Sequence, residues 1–194
     1  MNNIVLFDAD GVLTLPEEVF SIVYSRSHGL DPEPFEQFFR NDWKPIVTGK
    51  ADLKESIAAN PELWQWQGPV DDLLDYWFKT EDVRNNELIE VIRELRSRGV
   101  RCYLATEQEK YRGEYMKTVM FKDLFDGYFV TAELGVSKTD PKFFEMIVES
   151  LGVSPSDVTF FDDSQSKVDT ASSAGIDGQL FVNVGQVKSY LSNL

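Results

Sequence analysis

Short, continuous apolar runs alternate along the chain with stretches in which apolar residues recur every three or four positions. Ile4-Val5-Leu6-Phe7 is the first run, and Asp8-Ala9-Asp10-Gly11 ends it as a turn. A run that is apolar at every position predicts a strand buried on both faces, as in a parallel sheet. Runs at 100–105, 127–131, 158–161 and 179–182 predict further strands of the same kind. Helical spacing lies between them. Leu88, Val91, Ile92 and Leu95 share one face after Asn86, a capping residue, and Gly99 stands at the stop. Phe144, Ile147, Val148 and Leu151 do the same after Asp140-Pro141, with Gly152 as the stop. Proline at the first helical position and glycine just past the last are the usual boundary residues. Strands alternating with helices predict an α/β fold with helices on both faces of a parallel sheet. Ligands of such sheets bind beyond the carboxyl ends of the strands.

Residues 16–85 interrupt the alternation and contain no convincing strand. A helix is predicted from Pro16 to Ser27, with Val19, Ile22 and Val23 as its apolar stripe and Gly29 as its stop. Others are predicted over Pro34 to Asp42, Asp52 to Ala59 and Val70 to Phe78. The segment reads as a helical insert, with hinges near Pro16 and residues 80–86. It holds all four tryptophans, Trp43, Trp64, Trp66 and Trp77. These are either the insert's own core or an aromatic wall over a ligand, and the core reading is preferred. Trp64 and Trp66, near Pro61 and Gly68, look least like regular core. Arg40, Lys44 and Lys50 are cations that could meet an anionic ligand, although a solvated loop is the preferred reading.

Charge narrows the partners. The 194 residues carry a formal net charge of −14. That argues against nucleic acid and against an anionic membrane surface. No stretch approaches the ~20 apolar residues of a membrane span, and Met1-Asn2-Asn3 lacks a basic signal-peptide start, so a cytoplasmic protein is expected. The single cysteine, Cys102, falls in a predicted strand and reads as an inert core thiol. The single histidine, His28, reads as a solvated residue at a helix end. Oligomeric state is left open.

Candidate chemistry sits at the ends of the predicted strands. Asp8 and Asp10 follow the first, and Asp162-Asp163 ends Val158-Thr159-Phe160-Phe161. If both strands are central, four carboxylates converge at one sheet edge. They would repel one another unless a cation compensates, and hard oxygen ligands favour Mg²⁺ or Ca²⁺. Thr106 ends a further strand, where its hydroxyl and amide could hold a phosphate oxygen. Lys138 precedes a predicted helix and could screen the acids.

In this order the residues resemble the haloacid dehalogenase-like hydrolase superfamily, over the whole chain. Asp8-Ala9-Asp10-Gly11-Val12-Leu13-Thr14 is similar to its first motif, and Phe160-Phe161-Asp162-Asp163-Ser164 followed by Ala174-Gly175-Ile176 to its fourth. Thr106 and Lys138 match the looser second and third. The resemblance implies a three-layer Rossmann-like parallel sheet, formed by 1–15 and 86–194, with a small α-helical cap over 16–85. It implies a Mg²⁺-dependent phosphatase acting on a small phosphorylated metabolite through an aspartyl-phosphate. Asp8 would be the nucleophile and Asp10 the acid and base. Thr106 and Lys138 would hold phosphoryl oxygens. Mg²⁺ would bind Asp8, the backbone carbonyl of Asp10 and Asp163, with Asp162 close by or acting through water. Asp10 argues against a dehalogenase, whose halide leaving group needs no proton. A phosphomutase and a non-catalytic binding protein on the same fold are the alternatives. Three positions depart from the family pattern, one being Thr139, which stands where Pro is common. Glu107 stands where relatives often carry Asn and should point away from a phosphate. Lys167 stands where some relatives place an acid, and Lys142 rivals Lys138.

Overall fold

A computed structural model describes residues 4–192, so Met1-Asn2-Asn3 lies outside the described residues. Five parallel strands form one sheet in the order β3-β2-β1-β4-β5. They are β1 (Ile4–Phe7), β2 (Arg101–Thr106), β3 (Gly127–Val130), β4 (Val158–Asp162) and β5 (Asp177–Leu180). β1 lies in the middle, with Phe7 in register with Leu104 of β2 on one side and Phe161 of β4 on the other. Its continuous apolar run is explained by burial on both faces. Val5 and Phe7 join one core cluster and Ile4 and Leu6 join the other, with the two-residue period of a strand. Among the described residues no helix is long and apolar enough to cross a membrane.

The insert carries α1 (Phe20–His28), α2 (Glu33–Asn41), α3 (Trp43–Val47), α4 (Leu53–Ala58), α5 (Pro61–Trp64) and α6 (Val70–Thr80). The sheet is flanked by α7 (Asn86–Ser97), α8 (Lys110–Tyr115), α9 (Thr131–Leu134), α10 (Pro141–Leu151), α11 (Gln165–Ser173) and α12 (Val184–Tyr190). A π-helical turn, Met116–Met120, continues α8. Side chains of α7 and α12 pack on one face of the sheet and those of α10 and α11 on the other, so the core has three layers.

Several boundaries differ from expectation, each for a long-range reason. α1 starts at Phe20 rather than Pro16, because the Phe20 N–H donates to the Glu81 carboxylate at 2.7 Å, across 61 residues. Its buried residues are Phe20, Tyr24 and Ser25, whereas Val19 is exposed. Asn85, not Asn86, caps α7, accepting from the Leu88 N–H. β5 begins two positions before the apolar run at 179, since Asp177 pairs with Thr159 of β4. The short helices α3 and α5 carry too few residues for a periodic signal. His28 ends α1, exposed, its ring stacked on Tyr24 at 4.1 Å, and Cys102 is fully buried with its thiol pushed up to about 12 by desolvation.

The insert has its own apolar cluster, built around Phe20, Tyr24, Phe35, Trp64, Leu73 and Trp77. Trp64 is 1 % exposed and sits at the centre of this core, correcting the expectation that it was the least core-like tryptophan. Trp66 is half-buried, its indole N–H donating to the Pro69 carbonyl at 2.9 Å. The chain enters and leaves the insert side by side. Leu15 N–H bonds Val83 O at 2.8 Å and Asn85 N–H bonds Leu13 O at 2.9 Å. Two strands of backbone that cross together, pinned by two hydrogen bonds, hold the insert over the carboxyl edge of the sheet.

Candidate active site

Because the strands are parallel and in register, their carboxyl ends meet at one edge, and each strand delivers its last residues there. Asp8 follows β1, Thr106 closes β2, and Asp162 closes β4. Asp8, Asp162 and Asp163 place one carboxylate oxygen each within 4.8 Å of one another. Lys138 reaches into this group fully buried. Its ammonium donates to Asp8 Oδ1 and Asp162 Oδ2, both at 2.6 Å, and to the Ala105 carbonyl at 3.2 Å. All three of its protons are thereby used. Lys142 is exposed on α10, which settles the rivalry for this place.

The two oxygens of Asp8 differ. Oδ1 accepts from Lys138 and from the Ala9 N–H at 2.7 Å, whereas Lys167 lies 4.0 Å from Oδ2. Burial, with repulsion from Asp162, pushes the Asp8 carboxyl up to about 6 despite Lys138. Burial and the Asp8 charge likewise raise Asp163. Asp162 spends its second oxygen on the Ser164 N–H at 2.8 Å. The cluster thus holds more negative charge than Lys138 balances, and its free donors are hard oxygens. That set fits a divalent cation such as Mg²⁺. Thr106 Oγ1 is buried with no hydrogen-bond partner. A buried hydroxyl left unpaired is costly, and a phosphate oxygen would satisfy it.

Asp10 does not join the metal cluster with its side chain. It accepts from Thr14 Oγ1 at 2.7 Å, Gln108 Nε2 at 2.5 Å and both terminal nitrogens of Arg112 at 2.8 and 3.1 Å. Burial works to raise its pKa, but Arg112 and the hydrogen bonds outweigh that and hold the carboxyl below the usual range. Arg112 also pairs with Glu81 Oε2 at 3.0 Å, and Glu81 further accepts from Phe20 N–H and Trp77 Nε1–H. A buried guanidinium therefore bridges Asp10 of the core to the last turn of the insert. Sequence reading passed over Gln108, Arg112 and Glu81. Gln108 lies in the loop before the α8 cap Glu109 and Arg112 in the first turn of α8, so no periodic pattern links them.

Glu107 does not point away. It accepts from Ser137 Oγ at 2.5 Å and lies 3.8 Å from Lys167 Nζ, facing the same cavity as Asp10. Glu107 and Lys167, which separately depart from the family pattern, face each other as an ion pair. Burial works against the Lys167 charge, and Asp8, Asp162 and then Glu107 favour it. Gly11 adopts φ +77°, and a Cβ built on it would sit 2.1 Å from Asp163 Oδ2. Gly11→Ala is expected to displace Asp163, weaken Mg²⁺ binding measured by calorimetry at least about tenfold, and cost ~1–2 kcal/mol for the left-handed backbone.

A cavity of about 430 Å³ opens between the insert and the sheet edge, with Asp10, Gln108 and Arg112 at its floor and Phe39, Trp43 and Trp77 on its wall. Arg40 borders this cavity, and Lys44 borders an adjoining one beside Glu107 and Lys167. Lys50 faces neither: its loop packs on α9, with Gly49 against the Ala132 carbonyl.

Residues 3–175 match the model of a hydrolase family, the haloacid dehalogenase-like hydrolases. The chain belongs to that family. A phosphorylated carbohydrates phosphatase of Thermotoga maritima is 26% identical over 176 residues, covering 89% of this chain and 82% of its own. Among solved structures, a HAD-like family hydrolase of Porphyromonas gingivalis superimposes with a TM-score of 0.80 at 18% identity, covering 98% of both chains. A HAD family enzyme of Bacteroides thetaiotaomicron, in complex with magnesium and inorganic phosphate, superimposes with a TM-score of 0.79 at 18% identity, covering 95% of this chain and 98% of its own. The α/β core with helical cap elements is thus the fold of this haloacid dehalogenase-like hydrolase.

Proposed function

We propose that this hydrolase is a Mg²⁺-dependent phosphatase of a small phosphate monoester, with residues 16–85 acting as a cap over a core of 1–15 and 86–194. The observation that carries the reading is the asymmetry of Asp8. Lys138 and the Ala9 amide lock Oδ1 and leave Oδ2 as the open oxygen, and the neighbouring strand ends in Thr106, whose buried hydroxyl has no partner. That arrangement supports attack by Oδ2 on phosphorus, in which the Oδ2–P bond forms as the ester P–O bond breaks. Thr106 would hold a phosphoryl oxygen as it moves. Lys138, with its donors already placed, orients the nucleophile and screens Asp162 rather than reaching freely for phosphate. Asp10, carrying a proton, would pass it to the leaving alkoxide. Then, ionised, it would take one from the water that opens the aspartyl-phosphate and releases phosphate. In this structure Arg112, Thr14 and Gln108 hold Asp10 in the ionised form, the one the second half requires.

Asp8, Asp163 and the Asp10 carbonyl would hold Mg²⁺, with Asp162 behind them, and the ion would supply charge neutralisation between phosphoryl and carboxylate oxygens. The relative from Bacteroides thetaiotaomicron, crystallised with magnesium and phosphate, and the phosphatase from Thermotoga maritima support the same chemistry. The test is hydrolysis of p-nitrophenyl phosphate with Mg²⁺ and with EDTA, beside Asp8→Asn. Turnover is expected only with the metal, and the variant should lose about 10⁴-fold or more. Calorimetric titration of Mg²⁺ into both proteins gives an independent readout, with weaker binding expected in Asp8→Asn. Full activity in the variant would refute Asp8 as nucleophile.

A further inference from the structure

The cavity over Asp10 also has a chemical character that narrows the substrate. Phe39, Trp43 and Trp77 form a continuous aromatic wall, with ring centroids 5.0 Å (Phe39–Trp43), 5.7 Å (Phe39–Trp77) and 5.9 Å (Trp43–Trp77) apart. Val19, 54 % exposed, extends the apolar surface. Most of the charged groups deep in the cavity are already paired with one another, the buried Arg112 Nε being an exception. Trp77 Nε1 donates to Glu81, and Glu81 binds Arg112. Arg112 and Gln108 Nε2 are both engaged by Asp10, and Glu107 is held by Ser137 and Lys167. Arg40 and Glu36 form a loose, exposed pair of 3.9 Å at the rim.

A polyhydroxylated leaving group would therefore bring more hydroxyls into the space than its few uncommitted groups, such as Arg112 Nε, could pair. Each hydroxyl left over would lose water without replacement. An apolar body would instead cover the aromatic faces and gain from leaving water. The volume, about 430 Å³, suits a ring-sized organic group. We propose that the substrate is the phosphate monoester of an alcohol with an apolar, ring-sized or branched hydrocarbon body, bound against Phe39, Trp43 and Trp77, rather than a sugar phosphate. This rests on the phosphatase reading above.

Three probes separate the two ideas. Cyclohexylmethyl phosphate and glucose 6-phosphate are both esters of primary alcohols on a six-membered ring, and differ chiefly in the hydroxyls. Acetyl phosphate has no body to bind and reports the chemistry alone. The expected result is kcat/KM about 100-fold higher for the cyclohexylmethyl ester than for the sugar ester. Trp43→Ala should then narrow the ratio of cyclohexylmethyl to acetyl phosphate about tenfold. Val19→Glu, at an exposed position where folding is not at stake, should narrow it too. Glucose 6-phosphate turned over as well or better overturns the inference and leaves the phosphatase reading standing. So does turnover of acetyl phosphate with neither ester. Silence on all three removes the phosphatase reading and this inference with it.

Discussion

Lys138→Met is expected to unfold about 10 °C below the parent protein and to have no measurable turnover. Lys138 is fully buried between Asp8 and Asp162, themselves buried, and it is the cation that contacts both. Methionine keeps the volume and removes the charge, leaving two buried carboxylates without the cation they share. Removing one partner of a buried ion pair costs about 3–5 kcal/mol, far more than the pair itself contributes to stability. In a domain of this size each kcal/mol moves the midpoint by about 2–4 °C. The measurement is thermal unfolding with and without Mg²⁺. The ion should recover part of the loss, because it supplies positive charge to the same oxygens. A midpoint unchanged in the variant would show that the acids are not held as ions by Lys138. Lys138→Arg should fare little better, since a planar fork does not fit a site made for a compact ammonium.

Arg112→Met is expected to lower kcat by about 10²-fold or more while still folding. Its guanidinium makes two bonds to Asp10 and one to Glu81, so the variant loses the part that aims Asp10 and the part that ties it to the insert. Glu81 is buried whereas half of the Asp10 side chain remains open to solvent, so Asp10 can recover hydration and Glu81 cannot. The stability cost should therefore fall near the lower end of the buried-pair range, at about 3 kcal/mol. A double-mutant cycle with Glu81→Gln separates the two parts. The pair should show coupling in stability of about 1–3 kcal/mol. The single Glu81→Gln variant should raise KM more than it lowers kcat, because it loosens the cap and leaves the Arg112–Asp10 contact in place. Equal kcat in Arg112→Met and parent would remove Arg112 from any positioning role.

Much of the core was legible because its signals are local. A buried parallel strand needs apolar residues on both faces, so the runs at Ile4–Phe7 and Val158–Phe161 announce themselves, and parallel strands put their last residues at the same edge. That is why Asp8, Thr106 and Asp162 could be named as neighbours from residues far apart in the chain. Lys138 was legible from its order among the motifs, and its choice over Lys142 was decided by burial. The insert was legible as helical, and α2, α4 and α6 fall close to expectation. Trp64 was misjudged because Pro61 and Gly68 suggest a loop, yet a short helix between them turns the indole into the core.

The sequence by itself determined the strand ends, the acidic pairs and the helical interruption, because period, turn residues and caps act within a few positions. Only the tertiary structure decided how the charges are matched. Glu81 meets Phe20 and Arg112, and Glu107 meets Lys167, across separations no local pattern encodes. The physical reason is that a charge is tolerated in a buried place only where its partner is also delivered. That delivery depends on which strands lie side by side and on how the insert settles over their ends.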